Sequence, residues 1–300
     1  MPEINPKNKS LWTLTEILED TSSPPEPIIK DGILLDGTIL LIVGPAKSKK
    51  TFLTQNLALA IASGTDFAGF KITKPKKVLY YLAEGGYFPN RKRLQKMAEN
   101  ISPDNTENFL IDFPPYMPIN HPESYDEIYK TIKESDAEVV ILDPLIRFHD
   151  VDENSANGIS EVFSRIRQLI DKLGISVILV HHTGKVESRG GRGSSVIIGE
   201  YDSCITIHQA KADYSYLSYS MRFVETPSPN RIRFNPDTFW FERENGIVAL
   251  LENSGGSLPK KEFIKVYDKS KATAYRDIIQ AVEEGHIKDE GGLLELVDLE

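Results

Sequence analysis

Residues 38–64 read TILLIVGPAKSKKTFLTQNLALAIASG: an apolar run, a loop crowded with lysine, then a run of helical length that Gly64 can close. A short apolar run bounded in this way is expected to be a strand buried on both faces, with the following helix packed back on it. The alternation recurs along the chain. KKVLYYLAE at 76–84, NFLIDF at 108–113, EVVILD at 138–143 and ISVILVHH at 175–182 are further apolar strands. RKRLQKMAEN, YDEIYKTIKES and residues 158–173 are helical between them, the last with Ile159, Val162, Phe163, Ile166, Leu169, Ile170 and Leu173 on one face. Strands joined through helices run parallel, so the expected class is α/β with a mostly parallel sheet covered on both faces. DSCITIHQ, YLSYSMRFVE and RIRFNPDTFWFE alternate differently and are expected to form an antiparallel edge of that sheet.

Either side of this body the pattern changes. Residues 1–30 hold one amphipathic segment, LWTLTEILED, followed by SSPPEPIIKDG, whose prolines cannot continue a helix; they are expected to be an N-terminal arm. The body spans 31–245. From 246 to 300, LPKKEFIKVYD, SKATAYRDIIQAVEEG and HIKDEGGLLELV give helix, turn, longer helix and a hairpin about Gly291 and Gly292, the order of a winged helix-turn-helix. Lys271 and Arg276 would open its recognition helix and meet DNA phosphates, although residues 277–300 carry a net charge of −7 that opposes such contact. Docking of a protein is the alternative reading of this unit.

The bulk properties limit the partners. A net charge of −9 argues against a basic coat, so nucleic acid would have to be met by local patches or by a channel built on assembly. The single cysteine, Cys204, excludes an internal disulfide and a zinc ribbon. The polar first ten residues and the short apolar runs point to a soluble, cytoplasmic protein with no membrane partner.

GPAKSKKT, residues 44–51, nearly matches the phosphate-loop pattern G-x-x-x-x-G-K-[ST]. In such a loop the backbone N–H groups of Gly44, Pro45, Ala46, Lys47, Ser48 and Lys49 (proline excepted) cradle phosphates, Lys50 reaches the terminal ones and the Thr51 hydroxyl holds Mg²⁺. The helix that opens at Thr51 adds its dipole. Lys49 stands where the second glycine belongs; if its φ is positive, the strain is about 1 kcal/mol. Asp143 ends its strand as a Mg²⁺ ligand would, Glu84 ends another and is placed to polarise a water, and His181 and His182 end a third. KVESRGGRGSS at 185–195 is basic and glycine-rich: a plain surface linker, or a loop whose Lys185, Arg189 and Arg192 meet nucleic acid or supply an arginine across a subunit boundary.

Taken together, GPAKSKKT, VLYYLAEGG, VVILDPLIRFHDVDENSA and VILVHHTGK followed by RGSS resemble the RecA-like P-loop ATPases of the RepA type, the plasmid and phage hexameric replicative helicases. The resemblance covers roughly 31–245. It implies a RecA-like core that binds ATP and Mg²⁺, assembles into a homo-oligomer such as a hexamer, and acts on DNA, single-stranded through a ring channel or duplex through the C-terminal unit. It implies further that Lys50 and Thr51 bind phosphate and Mg²⁺, that Asp143 is the Walker-B acid, Glu84 the catalytic base and His182 the γ-phosphate sensor. The chain departs from the pattern at Lys49 and after RGSS, where a trans-acting arginine is expected and Asp202 stands; Arg189, Arg192 and Arg222 are the substitutes. These departures leave open a nucleotide-binding regulator or adaptor with weak or no hydrolysis. A small-molecule kinase fits poorly, because no acceptor-binding lid is visible.

Overall fold

A computed structural model of the chain describes residues 11–99, 101, 103–182, 197, 199–209, 214–243, 246–267, 269–283 and 285–297. Helix α1 (Leu14–Glu19) opens on a capping box between Thr13 and Glu16 and buries no residue. Strand β1 (Ile39–Gly44) then enters the core, and α2 (Lys50–Ser63) follows it, closed where Gly64 N donates to the Ala60 carbonyl. β2 (Val78–Leu82), α3 (Tyr87–Ala98), β3 (Phe109–Asp112), α4 (Pro122–Ser135), β4 (Val139–Asp143), α5 (Ala156–Leu173) and β5 (Ser176–His182) continue the alternation. β6 (Ser203–Gln209), β7 (Tyr214–Met221), β8 (Asn230–Phe234) and β9 (Phe241–Arg243) complete a nine-stranded sheet in the order β3-β2-β4-β5-β1-β6-β7-β8-β9.

The pairs from β3 through β6 are parallel and those from β6 through β9 antiparallel. The expected α/β sheet with an antiparallel edge is therefore present, with one correction. DSCITIHQ, expected within that edge, runs parallel to β1 on one side and antiparallel to β7 on the other.

Strand periodicity divides the core between the two faces of the sheet. Leu40, Ile42, Val78 and Tyr80 pack toward α2 and the aromatic residues of β8 and β9. Ile39, Leu41, Leu79 and Tyr81 pack toward α4 and α5. Ile28 and Ile29, which the sequence reading leaves in the arm, are buried in the first cluster, and Ile29 bridges to Leu34 and Ile72.

Beyond 245 come α6 (Gly246–Asn253), β10 (Ser257–Pro259), α7 (Lys260–Val266), α8 (Lys271–Glu283), β11 (Ile287–Glu290) and β12 (Leu293–Leu296). They enclose a core of their own around Ile247, Leu251, Phe263, Ile278 and Leu294. The helices of LPKKEFIKVYD and SKATAYRDIIQAVEEG and the hairpin about Gly291 and Gly292 are all seen; α6 and β10 were not anticipated. Among the described residues no helix is long and apolar enough to cross a membrane.

Candidate active site

The parallel strands deliver their carboxyl ends to one edge, where residues far apart in sequence become neighbours. Register sets Gly44 opposite His182 across β1 and β5, and Leu82 opposite Asp143 across β2 and β4, with Glu84 two residues beyond. The loop 45–49 then turns β1 into α2. Gly44 is obligatory: a Cβ there would lie 2.4 Å from Ile207 Cγ2 and 2.8 Å from its carbonyl oxygen. Lys49 has φ 62 and ψ 25, so the chain takes the left-handed conformation of the missing glycine with a lysine in place. Its ammonium lies 4.3 Å from the Phe234 ring centroid, a contact worth about 0.5–1 kcal/mol that offsets much of the strain. Phe52 meets Phe234 edge-on at 5.1 Å, so the ring that seats Lys49 is itself fixed against α2.

Lys50 is only 3% exposed, and its Nζ donates to the carbonyls of Gly44 at 2.8 Å and Pro45 at 2.7 Å. Burial brings its pKa down to about 8, against the opposing pull of Asp143 and Glu84. Asp143 is 2% exposed and accepts a 2.5 Å hydrogen bond from the Tyr80 hydroxyl. Burial raises its pKa to about 6; the hydroxyls of Tyr80 and Thr51 act the other way, as does the charge of Lys50, while Glu84 adds to the rise. Half-exposed Glu84 faces Arg147, whose Nε is 3.6 Å from its Oε1. Burial and the Lys50 charge lower the pKa of His182, whose Nδ1 has no hydrogen-bond partner among the described residues; nor has buried Ser48 Oγ. Lys47, Ser48, Lys49, Lys50, Thr51, Glu84 and His182 line one cleft of about 340 Å³.

Cations, unpartnered polar atoms and a helix N-terminus at one cleft suit a polyphosphate. The Thr51 and Asp143 oxygens suit Mg²⁺, which takes one or two protein oxygens and completes its shell with phosphate and water. Among the described residues no set of three His, Cys, Asp or Glu side chains could hold a metal alone.

Sequence reasoning missed two contributors. Arg93 on α3 lines the same cleft, with its guanidinium 4.6 Å from the Phe52 ring centroid. Fully buried Asn90 donates to the carbonyls of Glu84 at 3.0 Å and Gly86 at 2.8 Å, fixing the loop that carries Glu84. Asn90 was missed because α3 begins at Tyr87, before the segment read as helical, and Arg93, within that segment, because helical spacing does not show which element its face meets. Arg222, named as a substitute arginine, instead pairs with buried Asp202 at 3.3 Å, as does Arg167 at 2.8 Å. Lys185, Arg189 and Arg192 lie outside the described residues. Lys271 and Arg276 are exposed on α8 and do not line this cleft. A larger cleft of about 410 Å³ lies between β7–β9 and the C-terminal unit and contains none of the strand-end groups.

The model of the AAA domain family matches residues 5–188, more than half of the chain. The chain belongs to the AAA domain family. Three solved structures share the fold of this AAA domain protein. They are the RadB recombinase (TM-score 0.50, 20% identity, 69% of this chain and 90% of that one), a solved ATPase domain (0.54, 14%, 70% and 86%) and a DnaB-like replicative helicase (0.53, 14%, 69% and 57%). The AAA domain chain thus has a RecA-like fold, and it spans 57% of the DnaB-like helicase chain.

Proposed function

We propose that this chain is a DNA-associated ATPase, a ring helicase or translocase of the RepA type serving replication of a plasmid, phage or mobile element. The convergence of Lys50, Thr51, Glu84, Asp143 and His182 on the carboxyl edge of one sheet carries the reading. In it, the loop 44–49 and Lys50 bind the phosphates of ATP, with Lys50 exchanging its carbonyl partners for phosphate oxygens. Mg²⁺, when bound by Thr51 and Asp143, neutralises charge that develops on the phosphates. Glu84 takes a proton from the attacking water. His182 donates to the γ-phosphate, a role that suits a ring nitrogen with no partner among the described residues. The structural relatives named as a helicase and a recombinase support action on DNA.

The division 1–30, 31–245 and 246–300 goes with this reading, as does a winged helix-turn-helix C-terminal unit that presents Lys271 and Arg276 to DNA. Assembly into a homo-oligomer such as a hexamer also belongs to it, with Lys185, Arg189 and Arg192 toward the DNA channel. ATP hydrolysis stimulated by single-stranded DNA in the wild type, lost in Lys50→Ala, and a solution mass above that of a monomer with Mg·ATP are the expected results. No hydrolysis with DNA present would refute the reading.

A second reading, a nucleotide-binding regulator or adaptor, is favoured by one observation. Tyr275, Ile279 and Val282 form an exposed apolar stripe along α8, which suits a protein partner better than phosphate. Tight ATP binding without turnover would select it.

A further inference from the structure

Beside Glu84 the sheet edge carries a surface that the nucleotide cleft does not use. Gly85 and Gly86 lead directly into α3, whose first residues, Tyr87 and Phe88, are 54% and 69% exposed with ring centroids 5.4 Å apart. Arg91 lies over both rings, at 5.7 Å and 5.2 Å. Tyr87 also packs edge-on against Phe113 at 5.7 Å. From there the chain reaches Tyr116, 48% exposed, whose hydroxyl donates to the His149 carbonyl at 3.4 Å. The next amide, of Met117, donates to the carbonyl of Arg147 at 3.1 Å. Arg147 turns its guanidinium back to Glu84, 3.6 Å away. Rings and arginines therefore form one surface that ends on the carboxylate assigned to activate water.

A single exposed aromatic residue needs no explanation, but a cluster interleaved with arginines does. Flat bases linked by phosphates match it: bases stack on the rings, and guanidinium groups pair with phosphate oxygens. We propose that single-stranded nucleic acid docks on Tyr87, Phe88, Arg91, Tyr116 and Arg147, and that a backbone phosphate there draws Arg147 away from Glu84. The proposal rests on the reading of the chain as a DNA-associated ATPase. While paired, the Glu84 carboxylate is turned toward a guanidinium instead of a water. Both partners are half exposed, so the pair is weak and readily exchanged for a phosphate. Docking then frees the base and accelerates hydrolysis; Arg147 acts as a positioning residue.

The test pairs two measurements on the full chain: anisotropy of a labelled oligothymidylate, and ATP turnover with and without that oligonucleotide. Tyr87→Ala/Phe88→Ala is expected to weaken oligonucleotide binding by at least tenfold, within the roughly fivefold to 150-fold loss typical of each stacked base, with the melting temperature unchanged. Arg147→Ala is expected to raise turnover without oligonucleotide and to abolish its stimulation, whereas Arg147→Lys keeps part of both properties. Wild-type binding in the aromatic double variant, or wild-type stimulation in Arg147→Ala, would overturn the proposal. So would a change from oligomer to monomer in the double variant, which would assign the patch to contacts between copies. If the wild type itself neither binds the oligonucleotide nor turns over ATP, the reading as a DNA-associated ATPase falls as well; if it does both and the variants match it, only the patch falls.

Discussion

A lysine held at φ 62 carries about 1 kcal/mol of strain that glycine would avoid, and Lys49 recovers a similar amount over Phe234. Lys49→Gly therefore exchanges one for the other, and urea denaturation is expected to show less than ~1 kcal/mol of change. Lys49→Ala keeps the strain and loses the ring contact, and should be destabilised by about 1 kcal/mol. If the Lys49→Gly variant gains neither affinity nor turnover, Lys49 is fitted to its site. The buried pair beyond it sets a pH window. Asp143 must be ionised to hold Mg²⁺, so kcat/KM rises as pH passes upward through about 6. Lys50 must be protonated to meet phosphate, so kcat/KM falls as pH passes upward through about 8. A bell with these limbs is the expected profile, and Asp143→Asn should remove the acid limb from whatever activity remains. At this scale the sequence was most legible: each strand-end group was readable because an apolar run stops at it. The Arg222–Asp202 pair was not, since nothing in local spacing shows that Asp202 is buried and needs cations.

Elements position those residues through contacts that local pattern does not encode. β2, β4, β5 and β1 all read as continuous apolar runs, and such runs carry no signal for which strand lies beside which. Their parallel direction followed from the intervening helices. β6 misled because it alternates like an edge strand although β1 covers one side of it. α3 was misplaced at its start, and with it went Asn90, the side chain that ties the loop 84–86 to α2 through a 3.4 Å bond from Gln55. Asn90→Ala deletes buried bonds and strands two loop carbonyls, so a loss of about 2 kcal/mol in stability is expected from thermal or urea melts. Because the loop carries Glu84, kcat should fall more than ATP affinity; an equal fall in both would show that Asn90 serves binding only.

At the scale of the molecule, the net charge of −9 is reconciled with a polyanionic substrate by local segregation. Cations gather in the loop 47–50, while the basic start of the C-terminal unit is partly neutralised from within. There Lys260 pairs with Asp289 at 2.5 Å and Lys269 with Asp277 at 2.7 Å. The change of rhythm after 246 was readable, yet the first strand and first helix that follow it were too short or too apolar to read. In the proposed reading, the strand-end groups of the sheet form a hydrolytic site. Glu84→Gln addresses this directly, because it keeps shape and hydrogen bonding while removing the base. With ATP binding and single-turnover hydrolysis measured side by side, affinity should stay within about twofold of wild type and hydrolysis should drop by about 10²–10⁴-fold. Hydrolysis at the wild-type rate in this variant would contradict the claim.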